Sequence, residues 1–196
     1  MDTLEAILTR RSTRAFAQKD VGQDVLDQVL EAGRHAPSGG NNQTTHLIVI
    51  RNRKVLEDLA ALVKQEFSKM EVTPGMYKSM AAAIRRSKEE VYVFHYGAPV
   101  LILTANRIDY GNNIADCACV LENMMIAANA LDLGSCWINQ LRWLTDNEAV
   151  RAYMEGLGLA DNEYITGGLI LGYGYDGAPV RTELPRTGNP VTWICE

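Results

Sequence analysis

The chain contains few of the residues that disulfide-rich and metal-binding proteins depend on. Its 196 residues include only four cysteines and three histidines. This cysteine density is too low for a disulfide scaffold, so we expect reduced thiols in a cytoplasmic protein. The histidines have no ligand spacing. Cys117 and Cys119 fall in a helical pattern, where residues two apart point in different directions. The sequence therefore predicts no metal site.

Two further absences limit the partners of the chain. No apolar run is long enough to cross a membrane, and the opening residues Met-Asp-Thr-Leu-Glu lack the pattern of a signal peptide. The net charge of -5 lacks the surplus of Lys and Arg that a general nucleic-acid binder needs. We expect neither a membrane nor a nucleic-acid partner.

Most short catalytic motifs are also missing. The chain has no Walker motif, no Gly-x-Ser-x-Gly elbow and no zinc motif. The segment from Gly172 to Gly177 matches the glycine pattern of dinucleotide-binding proteins and follows a strand pattern. No helix pattern starts there, however, and the chain ends before the acidic residue expected about twenty positions later. We therefore expect no Rossmann site.

Hydrophobic residues make up 47% of the chain, which suffices for a core, and no linker divides it. We expect a single domain over residues 1–196. Periodicity and turn signals predict helices and strands in alternation. The predicted helices are Asp2–Arg10, Gln23–Arg34, one capped by Asn52, Met76–Val91, Asn112–Ala130 and one starting at the capping box Thr145–Glu148. The predicted strands are Leu47–Ile50, Pro99–Thr104, Gly134–Ile138 and Tyr164–Gly174.

Two segments predict burial against a second copy of the chain. The helix Asn112–Ala130 is apolar around most of its circumference, which is typical of a core or a subunit interface. From Ala178 onward, prolines exclude a helix and leave an extended arm that ends in the apolar run Val191–Cys195. A partner subunit would cover both surfaces.

The segment Arg10-Arg-Ser-Thr-Arg14 places three guanidinium groups and two hydroxyls within five residues. Arginine offers planar, paired donors to phosphate oxygens, so this set favours an anion site. The alternative is a solvated basic helix end, and the segment alone does not decide between them.

The loop Ala36–Gln43 reads Ala-Pro-Ser-Gly-Gly-Asn-Asn-Gln and joins a helix to a strand. Its glycines allow the backbone to approach a flat polar ligand closely, and its side chains add donors and acceptors. The alternative is an ordinary polar surface loop, which the stretch alone favours slightly.

Four motifs in order resemble the nitroreductase-like family of FMN-dependent oxidoreductases. They are Arg10–Phe16, Ala36–Gln43, Leu133–Ile138 and Leu171–Tyr173, and together they extend over nearly the whole chain. The resemblance implies an α+β fold, an α/β/α sandwich with a mixed, mainly antiparallel sheet flanked by helices. It also implies an intertwined homodimer with exchange of the C-terminal arm, and two FMN molecules at the subunit interface.

The resemblance also implies roles for individual residues. Arg10, Arg11 and Ser12 would hold the phosphate and ribityl chain, with Arg186 returning to the phosphate, and Arg14 would lie near the N1 edge of the ring. The ring would be lined by Trp137, Ile138 and Asn139, with a backbone N–H from Asn139 or Gln140 directed at N5. Residues of the glycine loop would reach the cofactor of the other subunit: Pro37, Ser38, Gly39 and Asn41.

The implied activity is reduction of a small conjugated acceptor, a nitroaromatic or a quinone, by NADH or NADPH through FMN in a ping-pong cycle. Two alternatives stay open: the same fold with another flavin reaction, such as dehalogenation or enoate-type reduction, and an FMN-binding protein without robust turnover. Thr44 and Thr45 replace a Pro-Trp pair of many relatives. Residues 68–92 form either a peripheral helix or a cover over the site.

Overall fold

The computed structural model describes residues 1–175 and 181–195. Four strands form one sheet: β1 (His46–Ile50), β2 (Val100–Arg107), β3 (Gly134–Ile138) and β4 (Glu163–Gly172). In the described residues, seven α-helices accompany them: α1 (Thr3–Thr9), α2 (Gln23–Arg34), α3 (Arg53–Ser68), α4 (Lys78–Ser87), α5 (Asn113–Ala130), α6 (Gln140–Trp143) and α7 (Glu148–Glu155).

The sheet has the order β1-β2-β4-β3, and its neighbouring strands all pair antiparallel. β2 and β4 occupy the centre, and seven of the eight residues of β2 are buried. A nearly continuous apolar run is what a strand covered on both faces requires, so the prediction of a doubly buried strand at Pro99–Thr104 is confirmed. Ser12 also forms a parallel backbone bridge with Ser135 of the edge strand β3.

Alternate residues of the central strands point to opposite faces and so build two separate cores. On one face, Val100 and Ile102 pack with residues of α2 and α5. On the other, Leu101 and Leu103 pack with residues of α3, α4, α6 and α7. The result is a three-layer α/β/α sandwich, and the predicted α+β fold class is confirmed.

Local signals placed several helix ends correctly. The bounds of α2 match the predicted Gln23–Arg34. The side chains of Asp2 and Asn52 accept hydrogen bonds from the backbone N–H groups of Glu5 and Val55, as N-caps do.

Other local predictions were wrong. The cap of α7 is Asn147, whose side chain accepts from the Val150 N–H, and not Thr145. The Thr145 hydroxyl instead accepts a hydrogen bond from the backbone N–H of Ile165 in β4, at 3.1 Å. α4 is shorter than the predicted Met76–Val91, and no side-chain cap supports its first turn at Tyr77. The short helix α6 had no counterpart in the sequence analysis.

Several large apolar side chains lie on the surface of the single chain. Leu4 and Leu8 of α1 and Ile114 of α5 are exposed, and Trp193 and Ile194 of the arm are 82% and 88% exposed. The predicted start of the arm at Ala178 and Pro179 lies outside the described residues. None of the helices that the structure describes combines the length and the apolar character needed to cross a membrane.

Candidate functional site

The arginine segment, residues 10–16, lies along the free edge of β3. Ser12 pairs in parallel with Ser135, and the Thr13 N–H donates to the Ser135 carbonyl oxygen at 2.8 Å. Gly134 allows this close approach, because a Cβ there would lie 2.7 Å from the Thr13 side chain. Backbone pairing therefore fixes the segment beside the end of the sheet.

Arg11 carries the clearest unsatisfied hydrogen-bonding capacity of this region. Its Nε and Nη2 atoms are buried and have no hydrogen-bond partner among the described residues, while Nη1 donates to the Arg10 carbonyl oxygen at 3.3 Å. Burial, followed by repulsion from Arg186 and Arg10, lowers the pKa of the Arg11 guanidinium. Buried donors and clustered positive charge are both relieved by an anion, so this arrangement is suited to phosphate.

Arg10 and Arg186 line a common cavity of about 740 Å³ with residues of α1 and the arm. Arg10 lies 3.7 Å from Glu122 of α5, and both side chains are partly exposed. The structure thus brings Arg186, far away in the sequence, close to Arg10 of the arginine segment.

Cys136 of β3 lies beside the same segment. Burial raises the pKa of its thiol, and nearby Arg14, Ser12 and Arg10 only partly oppose that shift. The thiol therefore stays protonated at neutral pH, as the expected reduced thiols require.

The end of β3 is held by side-chain hydrogen bonds. Trp137 Nε1 donates to Asn139 Oδ1 at 2.9 Å, which fixes the indole relative to the turn. The backbone N–H of Asn139 donates to Gln140 Oε1 at 3.2 Å. Of the two backbone groups predicted to face N5, the one on Asn139 therefore already has a partner inside the chain.

A cavity of about 410 Å³, here called the site cavity, brings the ring-lining candidates together. Arg14, Trp137, Ile138 and Asn139 all line it. Its remaining walls come from α4, from the two residues Tyr92 and Tyr96, and from the start of α6. The further lining residues are Tyr77, Ser79, Ala82, Ala83, Arg86, Tyr92, Tyr96, Cys136, Gln140 and Trp143.

The glycine loop, residues 36–43, is not part of this cavity. Pro37 and Ser38 line a separate cavity of about 140 Å³ between α2, α5 and β1. The predicted site residues thus fall into two groups within one chain, the arginine segment with the end of β3 and the glycine loop.

Contacts within the chain fix the glycine loop. The Gly39 N–H donates to both carboxylate oxygens of Asp116, at 3.1 and 3.2 Å, and the Tyr110 hydroxyl lies 2.8 Å from Asp116 Oδ2. The Ser38 hydroxyl accepts from the Gln43 N–H at 3.0 Å. Asn41 and Gln43 have φ angles of 55° and 52°. Left-handed backbone at residues other than glycine is strained and persists where surrounding contacts impose it.

Comparisons with known proteins identify the family of the chain. The model of the nitroreductase family matches residues 7–173. The chain belongs to the nitroreductase family. A crystal structure of a nitroreductase with bound FMN from Bacteroides fragilis is 35% identical and superposes with a TM-score of 0.87, covering 99% of this chain and 100% of that one.

Two further relatives extend the comparison. An FMN- and NADPH-dependent nitroreductase of Sphigopyxis sp. strain HMH, solved as a mutant, is 26% identical with a TM-score of 0.71, and the match covers 96% of this chain and 95% of that one. Nitrobenzene nitroreductase of Ectopseudomonas oleovorans is 25% identical over 206 residues, covering 89% of this chain and 88% of its own length.

In this nitroreductase-family chain, the residues that the sequence analysis missed come from α4 and its surroundings. Arg86, Tyr92 and Tyr96 had no assigned role in the site. The only sequence signal was the low hydrophobic content of α4. Asp116 and Tyr110, which hold the glycine loop, were also missed, because each stands far from that loop in the sequence.

Close packing explains the first glycine of the segment Gly172–Gly177, which matches the dinucleotide-binding pattern. A Cβ on Gly172 would lie 2.7 Å from Pro99 and 3.0 Å from Phe16, so close packing requires the glycine. Gly174 forms a bridge with Phe16. Gly177 lies outside the described residues. Within residues 1–175 and 181–195, no group of three or more His, Cys, Asp or Glu side chains is placed to hold a metal ion.

Proposed function

We propose that the protein is an FMN-dependent oxidoreductase that uses NADH or NADPH to reduce a small conjugated acceptor. The observation that carries the proposal is the half-buried Arg11 guanidinium, whose buried Nε and Nη2 atoms have no partner in the described part of the chain. The proposal is supported by membership of the nitroreductase family and by the FMN bound in the relative from Bacteroides fragilis.

The residues present fit the phosphate of FMN. Arg10, Arg11 and Arg186 form a positive cluster in which Arg11 carries unpartnered donors, and a dianion would satisfy both its charge and its hydrogen bonds. Ser12, fixed to β3 by its bridge to Ser135, would add a hydroxyl toward the phosphate or the ribityl chain.

The site cavity would hold the isoalloxazine ring. Trp137 and Ile138 offer flat and apolar surface, and the Trp137–Asn139 hydrogen bond keeps the indole in place. Arg14 would stabilise negative charge at the ring edge. Bound FMN would supply the hydride chemistry at its N5 atom, which takes hydride from the nicotinamide and returns it to the acceptor. The protein therefore needs no nucleophile, and Cys136 is held as a protonated thiol.

A nitroaromatic or a quinone is the acceptor class that fits these walls. Both are planar and conjugated, and five aromatic side chains line the site cavity. Nitrobenzene nitroreductase among the relatives supports this class.

The proposal includes a homodimer. Within one chain the glycine loop and the arginine segment lie in different cavities, so Pro37, Ser38, Gly39 and Asn41 are available to the cofactor of a second copy. The exposed side chains of Trp193, Ile194 and Leu4 form apolar surface of the kind that subunit interfaces cover. Sedimentation velocity should give a particle of twice the chain mass, and Trp193→Glu should shift it toward the monomer. A wild-type monomer at micromolar concentration would contradict this part.

The experiment that tests the function is an anaerobic absorbance spectrum of the purified protein, before and after addition of NADH or NADPH. We expect a yellow flavin spectrum that bleaches. A flavin that stays oxidised with both nicotinamides would favour an FMN-binding protein without turnover. Turnover confined to one acceptor that is neither a nitro compound nor a quinone would favour dehalogenation or enoate-type reduction. Protein that cannot take up FMN would refute the proposal.

A further inference from the structure

Arg86 is the feature of the site cavity that neither the FMN proposal nor the sequence analysis uses. It lies in the last turn of α4, and its guanidinium carbon is 5.8 Å from the ring centre of Tyr92 and 6.0 Å from that of Tyr96. Cation–π contacts at these distances hold a guanidinium over aromatic faces. The two rings therefore orient Arg86 along the cavity wall.

The charge of this cavity is one-sided. Arg14 and Arg86 both line it, while none of the described residues that line it is an aspartate or a glutamate. Arg86 forms no ion pair with any carboxylate in the described residues, in contrast to Arg53 and Arg151, which pair with Glu57 and Glu155. A cavity with two cations and no counter-charge attracts anionic ligands.

The remaining walls suit a planar ring with a polar substituent. Tyr77 and Trp143 meet edge to face at 6.1 Å between ring centres. Tyr92 is buried, and its hydroxyl has no hydrogen-bond partner in the described chain. Burial raises the pKa of this hydroxyl, although the side chain of Gln140 and the charge of Arg86 partly oppose the shift, and the hydroxyl is protonated at neutral pH. Aromatic walls with a phenol hydroxyl beside a cation match an aromatic carboxylate.

We propose that the preferred acceptor is a planar aromatic compound carrying a carboxylate, and that Arg86 is the specificity-determining residue that binds this anion. The inference rests on the proposed FMN-dependent function, because the same cavity contains Arg14 and the end of β3. Arg86 contributes binding and orientation, and the electrons come from the reduced flavin.

The test compares two acceptors that differ in charge, para-nitrobenzoate and para-nitrobenzamide. For either one, two electrons from the reduced flavin and two protons convert the nitro group to a nitroso group, and one oxygen leaves as water. The FMN-loaded protein is reduced under anaerobic conditions, and its reoxidation by each acceptor is followed by stopped flow. The ratio of the two second-order rate constants removes any difference in overall activity between variants.

We expect Arg86→Gln to lower the ratio of para-nitrobenzoate to para-nitrobenzamide about tenfold, as loss of a charge-assisted hydrogen bond would. Arg86→Lys should recover part of the preference, since it keeps the charge but not the planar fork. The preference of the wild type should shrink as salt is raised. The matched control is Arg85→Gln, which removes the neighbouring arginine that does not line the cavity and should keep the wild-type ratio.

Three outcomes would overturn the inference. If the wild type binds FMN and reduces both acceptors, and Arg86→Gln has the same ratio, the role of Arg86 is refuted and the proposed function stands. An unchanged ratio with slower flavin reduction by NADPH, but not by NADH, assigns Arg86 to the 2′-phosphate of NADPH instead. Wild-type protein that takes up no FMN refutes the proposed function and the inference with it.

Discussion

The arginine segment and the glycine loop are both rich in hydrogen-bonding groups, but they use them differently. In the loop, the Gly39 N–H and the Ser38 hydroxyl are bound to Asp116 and to the Gln43 backbone. In the arginine segment, two buried nitrogens of Arg11 have no partner among the described residues. The loop's contacts therefore set its shape, whereas the arginine segment keeps its donors for a ligand.

This difference has an energetic consequence. Buried donor atoms without a partner destabilise the free protein, and local rules of folding are broken most often where function requires it. A strained loop held by its own hydrogen bonds contributes a rigid surface. The first region should therefore act mainly on ligand affinity, and the hydrogen bonds inside the second region mainly on stability.

The variant Arg11→Ala tests the difference between the two regions most directly. We expect FMN affinity to fall about 100-fold, since more than one charge-assisted hydrogen bond is lost. The protein without FMN should be no less stable, because the change removes repulsion from Arg186 and Arg10. Quenching of flavin fluorescence measures affinity, and thermal unfolding of the FMN-free protein measures stability. Arg85→Ala is the control, and unchanged affinity in Arg11→Ala would disprove the role of the segment.

For the glycine loop, Gly39→Ala should act on stability first. The new Cβ would overlap the Asn112 side chain and lie 2.7 Å from the Tyr110 hydroxyl oxygen. We expect a loss of about 1–3 kcal/mol in the free energy of unfolding, as overpacking causes, measured by urea denaturation. Gly111→Ala is the matched control, because a Cβ there meets nothing within 4 Å. Equal stability of the two variants would show that the loop adapts freely.

Tyr110→Phe tests the support beneath the loop without changing the loop itself. The Tyr110 hydroxyl lies 2.8 Å from Asp116 Oδ2 and 3.1 Å from the Gly39 carbonyl oxygen. Its loss should lower the free energy of unfolding by about 1 kcal/mol. Tyr175→Phe, at an exposed position, should have no measurable effect. A strong loss of FMN affinity in Tyr110→Phe, at unchanged stability, would contradict a mainly stabilising role for this hydrogen bond.

The smallest effect concerns Cys136, beside the arginine segment. Because burial raises its thiol pKa, the reactive thiolate forms only at higher pH than in the unfolded chain. We expect iodoacetamide at pH ~8 to leave Cys136 unmodified in native protein and to label it once the protein is denatured. Peptide mass spectrometry after a timed reaction measures the labelling of Cys136 in the native and in the denatured protein. Fast labelling of the native protein would mean that the nearby arginines, and not burial, set the pKa of the thiol.

Local patterns predicted much of the fold because they act within a few residues. The spacing of Leu26 and Val29 predicted α2, and the apolar run of β2 predicted a strand covered on both faces. Thr145 shows where this fails: its hydroxyl binds a backbone group of β4 twenty residues away, so Asn147 caps α7 instead. A distant partner can replace a local one, and no window of sequence contains it.

The sequence by itself determined the elements, the arginine segment, the glycine loop and the family that their order resembles. Only the tertiary structure decided which groups meet. The sheet order leaves an edge of β3 free to pair with Ser12, packing of α5 brings Asp116 to Gly39, and α4 places Arg86 in the cavity with Arg14. The physical reason is the distance along the chain over which each interaction acts. Periodicity and capping depend on neighbours within a helical turn or a strand, whereas contacts between distant segments depend on how complete layers pack.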